Sequence, residues 1–458
     1  MPSHQQAATG QSAGPASMGM RTFLVVWAGQ LVSITGTTLT GFGLQVWVYL
    51  ETGSVTRLAL VSLAFALPSV LLSPIAGALV DRWDRRVTML AADLLAGAST
   101  LVIAALYFGG HLEIWHLYLL AGVGALGNAF QAPAWMAAIP LLVPKRHLGR
   151  ANGLVQANEA VALVAAPAIA GAMLATVGLG AVLLTDVATF LVAVVTLAAV
   201  RFPPTPKGEH AATGSLRADI AAGWRYLRAR DGLLWLLVIY AGVNFVLAFV
   251  NVLLIPLIVT FSSEAAAGGV LSAAGVGMLA GSLLMSAWGG PQRGRIAWIM
   301  GGIAVGGLCV IVAGLRPSLV LIAAGAVLLM LGTPVVNTTS QVIWQLKVAP
   351  EMQGRVFALR RMVAQAAFPL GIALSGPLAD GVFEPLLTPP GGLAGSVGRV
   401  IGTGPGRGIA FMFILAGVGT IVMAAVGWLH PRVRHVEEEI PDQIPDDITA
   451  VPPAEPAA

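Results

Sequence analysis

Twelve apolar stretches, each about twenty residues or longer, follow one another along this chain with little between them. Crossing a hydrocarbon core of about 30 Å takes about 20 residues of helix. Inside that core a chain must satisfy every backbone N–H and C=O internally, which an apolar helix does. The stretches lie near 22–50, 56–80, 87–109, 114–142, 149–175, 178–200, 232–260, 265–289, 295–315, 318–346, 354–382 and 408–430. Only 10% of the 458 residues are charged and 57% are hydrophobic, whereas a water-facing surface calls for roughly 25% charged. The expected fold is an all-α membrane protein with twelve transmembrane helices.

This reading removes several functional classes. The single cysteine, Cys309, excludes an intrachain disulfide and any Cys-based metal centre. The seven histidines are scattered and form no His-x-x-x-His or HExxH pattern; no metal site and no cofactor are expected. A net charge of +4 and a pI near 9.6 would suggest nucleic acid for a soluble chain, but membrane proteins concentrate Lys and Arg in cytoplasmic loops, so no nucleic-acid partner is expected. The first apolar stretch is too long for a cleaved signal peptide.

Lys and Arg also set the orientation. With the N-terminus inside, 21 of the 25 basic residues fall on the cytoplasmic side; only Arg57, Arg316, Arg399 and Arg407 do not. Both termini are therefore expected in the cytoplasm and the protein in the cell (inner) membrane. The boundaries expected are a disordered N-terminus over 1–20, a six-helix bundle over 21–201, a linker over 202–230, a second bundle over 231–430 and a disordered acidic tail over 431–458. Within the linker, Leu216, Ile220, Trp224 and Leu227 recur at helical spacing with arginines between them, the pattern of an amphipathic helix on an anionic leaflet. The Gly- and Pro-rich stretch 385–408 is expected to be an irregular loop.

The halves repeat each other. Val143-Pro144-Lys145-Arg146-His147-Leu148-Gly149-Arg150 precedes the fifth span and Val348-Ala349-Pro350-Glu351-Met352-Gln353-Gly354-Arg355 the eleventh. Ala165-Ala166-Pro167 has an echo in Ala366-Ala367-Phe368-Pro369, and Asp81-Arg82-Trp83-Asp84-Arg85-Arg86 a weaker one in Gly290-Pro291-Gln292-Arg293-Gly294-Arg295. Such a repeat implies two six-helix bundles related by a pseudo-twofold axis along the membrane normal, an arrangement used by transporters.

The loop after the second span, Gly77-Ala78-Leu79-Val80-Asp81-Arg82-Trp83-Asp84-Arg85-Arg86, resembles the signature of the major facilitator superfamily, Gly-x-Leu-x-Asp-Arg-x-x-Arg-Arg. The layout is most similar to its branch of macrolide and siderophore exporters and multidrug–proton antiporters. The resemblance implies that Gly77, Asp81, Arg82, Arg85 and Arg86, with Arg360 and Arg361 on the eleventh span, latch the halves on the cytoplasmic side. The bland alternative is that these arginines only fix topology. Pro167 and Gly171 stand where exporters carry a Gly-Pro motif, with Ala166 in place of the first Gly; they read either as a bend against leakage or as ordinary helix packing.

Acids inside spans are expensive and so informative. Glu159 lies near the middle of the fifth span, Asp93 two turns into the third, and Asp186 two turns into the sixth. Glu159 reads as a proton carrier or as a hydrogen-bonding group to a neighbouring helix; Asp93 and Asp186 read more readily as structural. Many proton-coupled relatives place an acid in the first span, where this chain offers Gln30 and Gln45 instead.

The resemblance further implies a cavity lined by the first, fourth, seventh and tenth spans. These supply Gln45 and Trp47, Gln131 and Trp135, Asn244 and Phe245, and Asn337, Gln341 and Trp344. Amides and aromatics in an apolar cavity suit a bulky amphipathic small molecule; for each, the alternative is helix–helix or lipid contact. No Mg²⁺-binding acid cluster, nucleophile elbow or Walker lysine is present, so neither an enzyme nor an ATP-driven pump is expected. The expectation is a monomeric secondary transporter exporting such a compound with protons as the coupling ion, the runner-up being an uptake permease or lipid-like solute flippase.

Overall fold

The computed structural model of the protein describes residues 20–80, 83–143, 148–200, 202 and 216–443. The first half is built from α1 (Met20–Thr52), α2 (Val55–Val80), α3 (Arg85–Phe108), α4 (Ile114–Leu142), α5 (Leu148–Thr176) and α6 (Gly178–Ala199). A linker helix, α7 (Leu216–Arg228), leads to α8 (Asp231–Val259), α9 (Glu264–Trp288), α10 (Arg295–Leu315), α11 (Leu319–Lys347) and α12 (Pro350–Leu378). Two short helices, α13 (Glu384–Leu387) and α14 (Val397–Ile401), precede α15 (Arg407–Leu429), and α16 (Pro431–Arg434) and α17 (Val436–Glu439) follow it. Twelve helices among the described residues thus have at least 21 residues, close to the segments that length and hydropathy define.

Helix pairing makes the two-bundle architecture explicit. In the first half α1 packs on α5 and α6, α2 on α4, and α3 on α4 and α6. In the second, α8 packs on α12 and α15, α9 on α11, and α10 on α11 and α15. The pattern is the same, helix for helix. Between halves, α5 packs on α9 and α2 on α12, contacts that exchange with one another under the same pseudo-twofold operation.

The buried core divides unevenly along the helices. At the end away from the start of α1, one continuous cluster joins both halves, with Leu44 and Leu58 from the first and Leu257 and Phe413 from the second. At the other, arginine-rich end the described residues form two separate clusters. One centres on Met89, Trp135 and Leu197, the other on Leu236, Ile299 and Trp344. The halves are therefore cemented at the far end and part toward the arginine-rich end. On the outside, large side chains such as Leu283 (70% exposed) and Val320 (76%) present the apolar surface that acyl chains cover.

Two segments differ from the sequence-based expectation, and the linker helix, which forms where its spacing predicts, adds a contact to it. The stretch over 385–408 is not irregular throughout: α13 and α14 lie within it, and Gly402, Gly404 and Gly406 take positive φ at its turns. Residues 431–443 are folded rather than disordered. Val433 and Val436 are fully buried, the Lys347 ammonium donates to the carbonyls of Glu437 and Ile440, and it pairs with Asp442 at 2.8 Å. Finally, α7 docks on protein. Leu227 is fully buried, Gly223 lies against the Arg355 carbonyl, and the Ala349 N–H donates to Tyr226 Oη at 2.9 Å; Trp224 stays exposed with the Arg228 guanidinium 5.2 Å from its ring centre.

Candidate functional site

A cavity of about 460 Å³ is walled by α8, α11 and α12 and lined by Tyr240, Asn244, Asn337, Thr338, Gln341, Arg360 and Ala364. These residues lie six to fourteen residues from the arginine-rich ends of their helices, about 9–21 Å along them at 1.5 Å per residue. The lining is polar where the surrounding helices are apolar, so its groups depend on one another. Arg360 donates from Nη1 to Gln341 Oε1 at 2.7 Å and from Nη2 to Ser340 Oγ at 3.4 Å, and its guanidinium sits 5.0 Å from the centre of the Trp344 ring. Tyr240 Oη donates to the Val336 carbonyl at 3.2 Å, and Asn244 Nδ2 donates to the Ala364 carbonyl at 3.2 Å. Four of the residues expected to line a cavity (Asn244, Asn337, Gln341 and, behind Arg360, Trp344) thus meet here.

Others do not. Gln45 bonds the Gly41 carbonyl of its own helix and accepts from Ser62 at 3.4 Å, while Trp47 meets Tyr107 edge-on at 6.3 Å and packs on the far-end core. Trp135 is buried and stacked on Phe23 at 5.7 Å. Phe245 packs edge-on against Phe249. A larger groove of about 740 Å³ between α3 and α4 is mostly apolar, with Trp83, Val87, Leu95 and Phe130 on its walls.

Two intramembrane acids of the first half, Asp93 and Asp186, are held by hydrogen bonds. Gln131 donates to Gln30 Oε1 at 2.9 Å, and Gln30 donates in turn to Asp93 Oδ2 at 3.1 Å, tying α4, α1 and α3 together. Asp186 accepts from Thr100 Oγ1 at 3.0 Å, joining α6 to α3. Both carboxylates are buried. Glu159 falls on α5, with its side chain outside the described residues.

The expected latch is spread out. Asp81 and Arg82 lie outside the described residues, and Gly77 is on α2 with its surroundings also outside them. Arg86 donates to the carbonyls of Leu197 (3.2 Å) and Ala198 (2.6 Å), holding α3 to α6 inside the first half. The Nε of Arg85 is buried with no acceptor among the described residues. Arg361 is exposed, and Arg360 points into the cavity described above.

The pair Pro167 and Gly171 does sit between halves. A Cβ on Gly171 would come within 2.7 Å of the Glu264 carbonyl, and one on Gly268 would strike the Pro167 carbonyl. Small residues here let α5 and α9 touch backbone to backbone, as membrane helices do. The equivalent seam between α2 and α12 holds a feature that sequence reasoning missed. A π-helical turn, Ala379–Phe383, ends α12 and carries Asp380. Its carboxylate accepts from Ser54 Oγ at 2.7 Å and from the amides of Val55 (3.0 Å) and Thr56 (2.8 Å). Four residues on, Glu384 accepts from the amides of Gly406 (3.2 Å) and Ile409 (2.9 Å) at the start of α15. The sequence signal was an acid pair spaced i, i+4 at the end of an apolar span.

Comparisons with known proteins agree with this architecture. Residues 26–372 match the family model of the Major Facilitator Superfamily. The chain is 30% identical over 363 residues to Macrolide efflux protein A of Streptococcus pyogenes, covering 78% of this chain and 89% of that protein. It is 27% identical over 383 residues to the multidrug efflux pump Tap of Mycobacterium tuberculosis (strain ATCC 25618 / H37Rv), covering 80% and 87%. Among solved structures, a bacterial homolog of the human lysosomal transporter Spinster, inward-facing and unoccupied, superimposes with a TM-score of 0.68 at 19% identity, covering 90% of this chain and 96% of that one. A bacterial homologue of the iron transporter ferroportin gives 0.63 at 15% identity, covering 89% and 99%. With twelve long helices among the described residues in two equivalent sets of six and a family match over three quarters of its length, the chain belongs to the Major Facilitator Superfamily as a multi-pass membrane transporter.

Proposed function

We propose that the protein exports small amphipathic compounds by alternating access, in exchange for protons, with both termini in the cytoplasm. The observation that carries this reading is the uneven core: a single cluster across both halves at the far end, and two separate clusters among the described residues at the arginine-rich end. Two bodies fused at one end and parted at the other, with a polar cavity among α8, α11 and α12 of the second half, form one of two states that rocking interconverts. The similarity to macrolide and multidrug efflux proteins supports export and the compound class.

The arginine-rich end, by the distribution of Lys and Arg, is the cytoplasmic one, so this state receives its compound from the cytoplasm or inner leaflet. Glu159, Asp93 and Asp186 are the acids proposed for coupling, because an ionisable group inside a span is costly and so marks a candidate proton route. Arg85 and Arg86, with Asp81 and Arg82, are proposed to meet the second half when the arginine-rich end closes. The protein is taken to work as a monomer.

The test is flux of a macrolide and of a neutral amphipathic dye in proteoliposomes with and without a pH gradient. Wild type, Glu159→Gln and Asp93→Asn are compared. The reading expects gradient-driven flux that one of the two substitutions uncouples while downhill exchange persists. Flux indifferent to the gradient in the wild type removes proton exchange, and no flux at all removes the exporter.

A further inference from the structure

Arg360 is a cation ten residues into a membrane-spanning helix, α12, and among the described residues it has no carboxylate partner. It bonds an amide oxygen and a hydroxyl and lies on an indole. Ionised groups at this depth are costly unless paired, and a guanidinium carries five N–H donors, of which these two bonds use two. The helices around it offer little compensation. Within α8, α11 and α12 the acids are Asp231 and Glu351, both at the arginine-rich ends of their helices. α11 contains none over its 29 residues. The nearby Lys347 is already taken by the tail. Beside the cavity, Trp344 Nε1 and Thr339 Oγ1 are buried with no partner among the described residues.

From this we infer that the cavity takes amphipathic anions, with Arg360 as the residue that selects the charge. This rests on the cavity being the transport site, as proposed above, and narrows its substrate class. The planar fork of a guanidinium matches a carboxylate, phosphate or sulfonate bidentately. The Trp344 ring lies against the guanidinium with its centre 5.0 Å away, Gln341 Oε1 accepts from Nη1, and the cavity volume of about 460 Å³ accommodates an apolar body of drug size. Arg355, nearer the start of α12, and Arg361, beside Arg360, are exposed and raise the positive potential at the approach. In the opposing half Asp93 on α3, Glu159 on α5 and Asp186 on α6 stand at comparable positions along their helices; Asp93 and Asp186 are engaged by Gln30 and Thr100.

The experiment uses the full chain in nanodiscs of zwitterionic lipid and three probes with one apolar body: 1-pyrenebutyrate, 1-pyrenebutanol and (1-pyrenyl)butyltrimethylammonium. Binding is read by fluorescence anisotropy for wild type, Arg360→Lys and Arg360→Gln. The expected result is about tenfold tighter binding of the carboxylate than of the ammonium probe in wild type. That ratio is partly kept in Arg360→Lys and abolished in Arg360→Gln, while pyrenebutanol binding changes less than about threefold and so reports an intact fold. Repeating the series with phosphatidylglycerol in the nanodisc separates the two sources of such an anion: competition marks a lipid headgroup, unchanged affinity a soluble organic acid. A wild type that prefers the ammonium probe, or a charge preference indifferent to Arg360→Gln, overturns the anion assignment alone. Saturable binding of none of the probes overturns both this inference and the cavity as the transport site.

Discussion

The Asp380 carboxylate, on the π-helical turn that ends α12, holds Ser54 at the start of α2: Ser54 Oγ donates to it at 2.7 Å, and the neighbouring amides of Val55 and Thr56 donate at 3.0 and 2.8 Å. An acid in one half thus caps a helix of the other. The first amides of a helix lack partners within it and carry its positive dipole end, so a carboxylate is the strongest cap available. The π-turn is what aims it there, since one extra residue rotates Asp380 off the α-helical face. One turn later Glu384 caps α15 in its own half. The segment 380–384 therefore staples α2 to α15 across the far end.

Asp380→Ala removes all three bonds and should cost the far-end seal about 1–2 kcal/mol. Hydrogen exchange of the Val55 and Thr56 amides checks this directly. Roughly tenfold faster exchange is expected in Asp380→Ala and an intermediate rate in Asp380→Asn, which keeps one acceptor. Exchange at wild-type rate would mean that other contacts hold the seam.

The α5–α9 seam makes a sharper steric prediction. Gly268→Val places branched carbons against the Pro167 backbone carbonyl, which cannot move without its helix, so transport should fall strongly while membrane insertion is retained. Gly269→Ala, one residue along and facing open space, should be silent, within about 0.5 kcal/mol. Drug-resistance assays with membrane-fraction immunoblots distinguish the two outcomes.

Lys347 is 3% exposed and is satisfied by the tail: the carbonyls of Glu437 and Ile440 and the Asp442 carboxylate. Deleting the chain after His430 strands this ammonium and should cost about 3 kcal/mol or more. Lys347→Met in the deleted background should recover part of that loss, because an apolar side chain leaves no buried charge. Thermal unfolding in detergent measures it; no recovery would show that the tail acts through Val433 and Val436 alone.

The network Gln131–Gln30–Asp93 predicts a separation between fold and coupling. Asp93→Asn keeps an acceptor for Gln30 and should cost less than about 1 kcal/mol, whereas Asp93→Leu strands the Gln30 amide and should cost about 1–3 kcal/mol. If Asp93 carries the proton, Asp93→Asn loses the pH-gradient dependence of flux at near-normal stability.

The helices, their pairing into halves and the family were legible because a hydrocarbon core imposes a length that the sequence displays without ambiguity. The joints between halves were not. They depend on single glycines at 171, 268 and 376 meeting backbone across a seam, and a glycine in a membrane helix looks the same whether it faces a partner or a lipid. Arg360 was grouped with the cytoplasmic arginines because it lies near the start of its span; the structure carries it about ten residues along α12, into contact with Gln341 and Trp344. The tail read as disordered from its run of Glu437, Glu438 and Glu439, while the signal for its docking was a valine pair, Val433 and Val436, at i, i+3. Lys347 counted toward orientation, which hid its role as that tail's anchor.

The central claim is that two rigid halves rock so that one end opens as the other closes. Spin labels on His111 and Arg316 report the far end, and labels on Trp83 and Arg293 the arginine-rich end; all four are exposed and lie in opposite halves pairwise, and the single native thiol, Cys309, is buried. Double electron–electron resonance in nanodiscs, with and without a transported compound and across a pH step, should show the far-end distance lengthening in the same population in which the arginine-rich-end distance shortens. Distances that stay fixed, or that lengthen together, would contradict it.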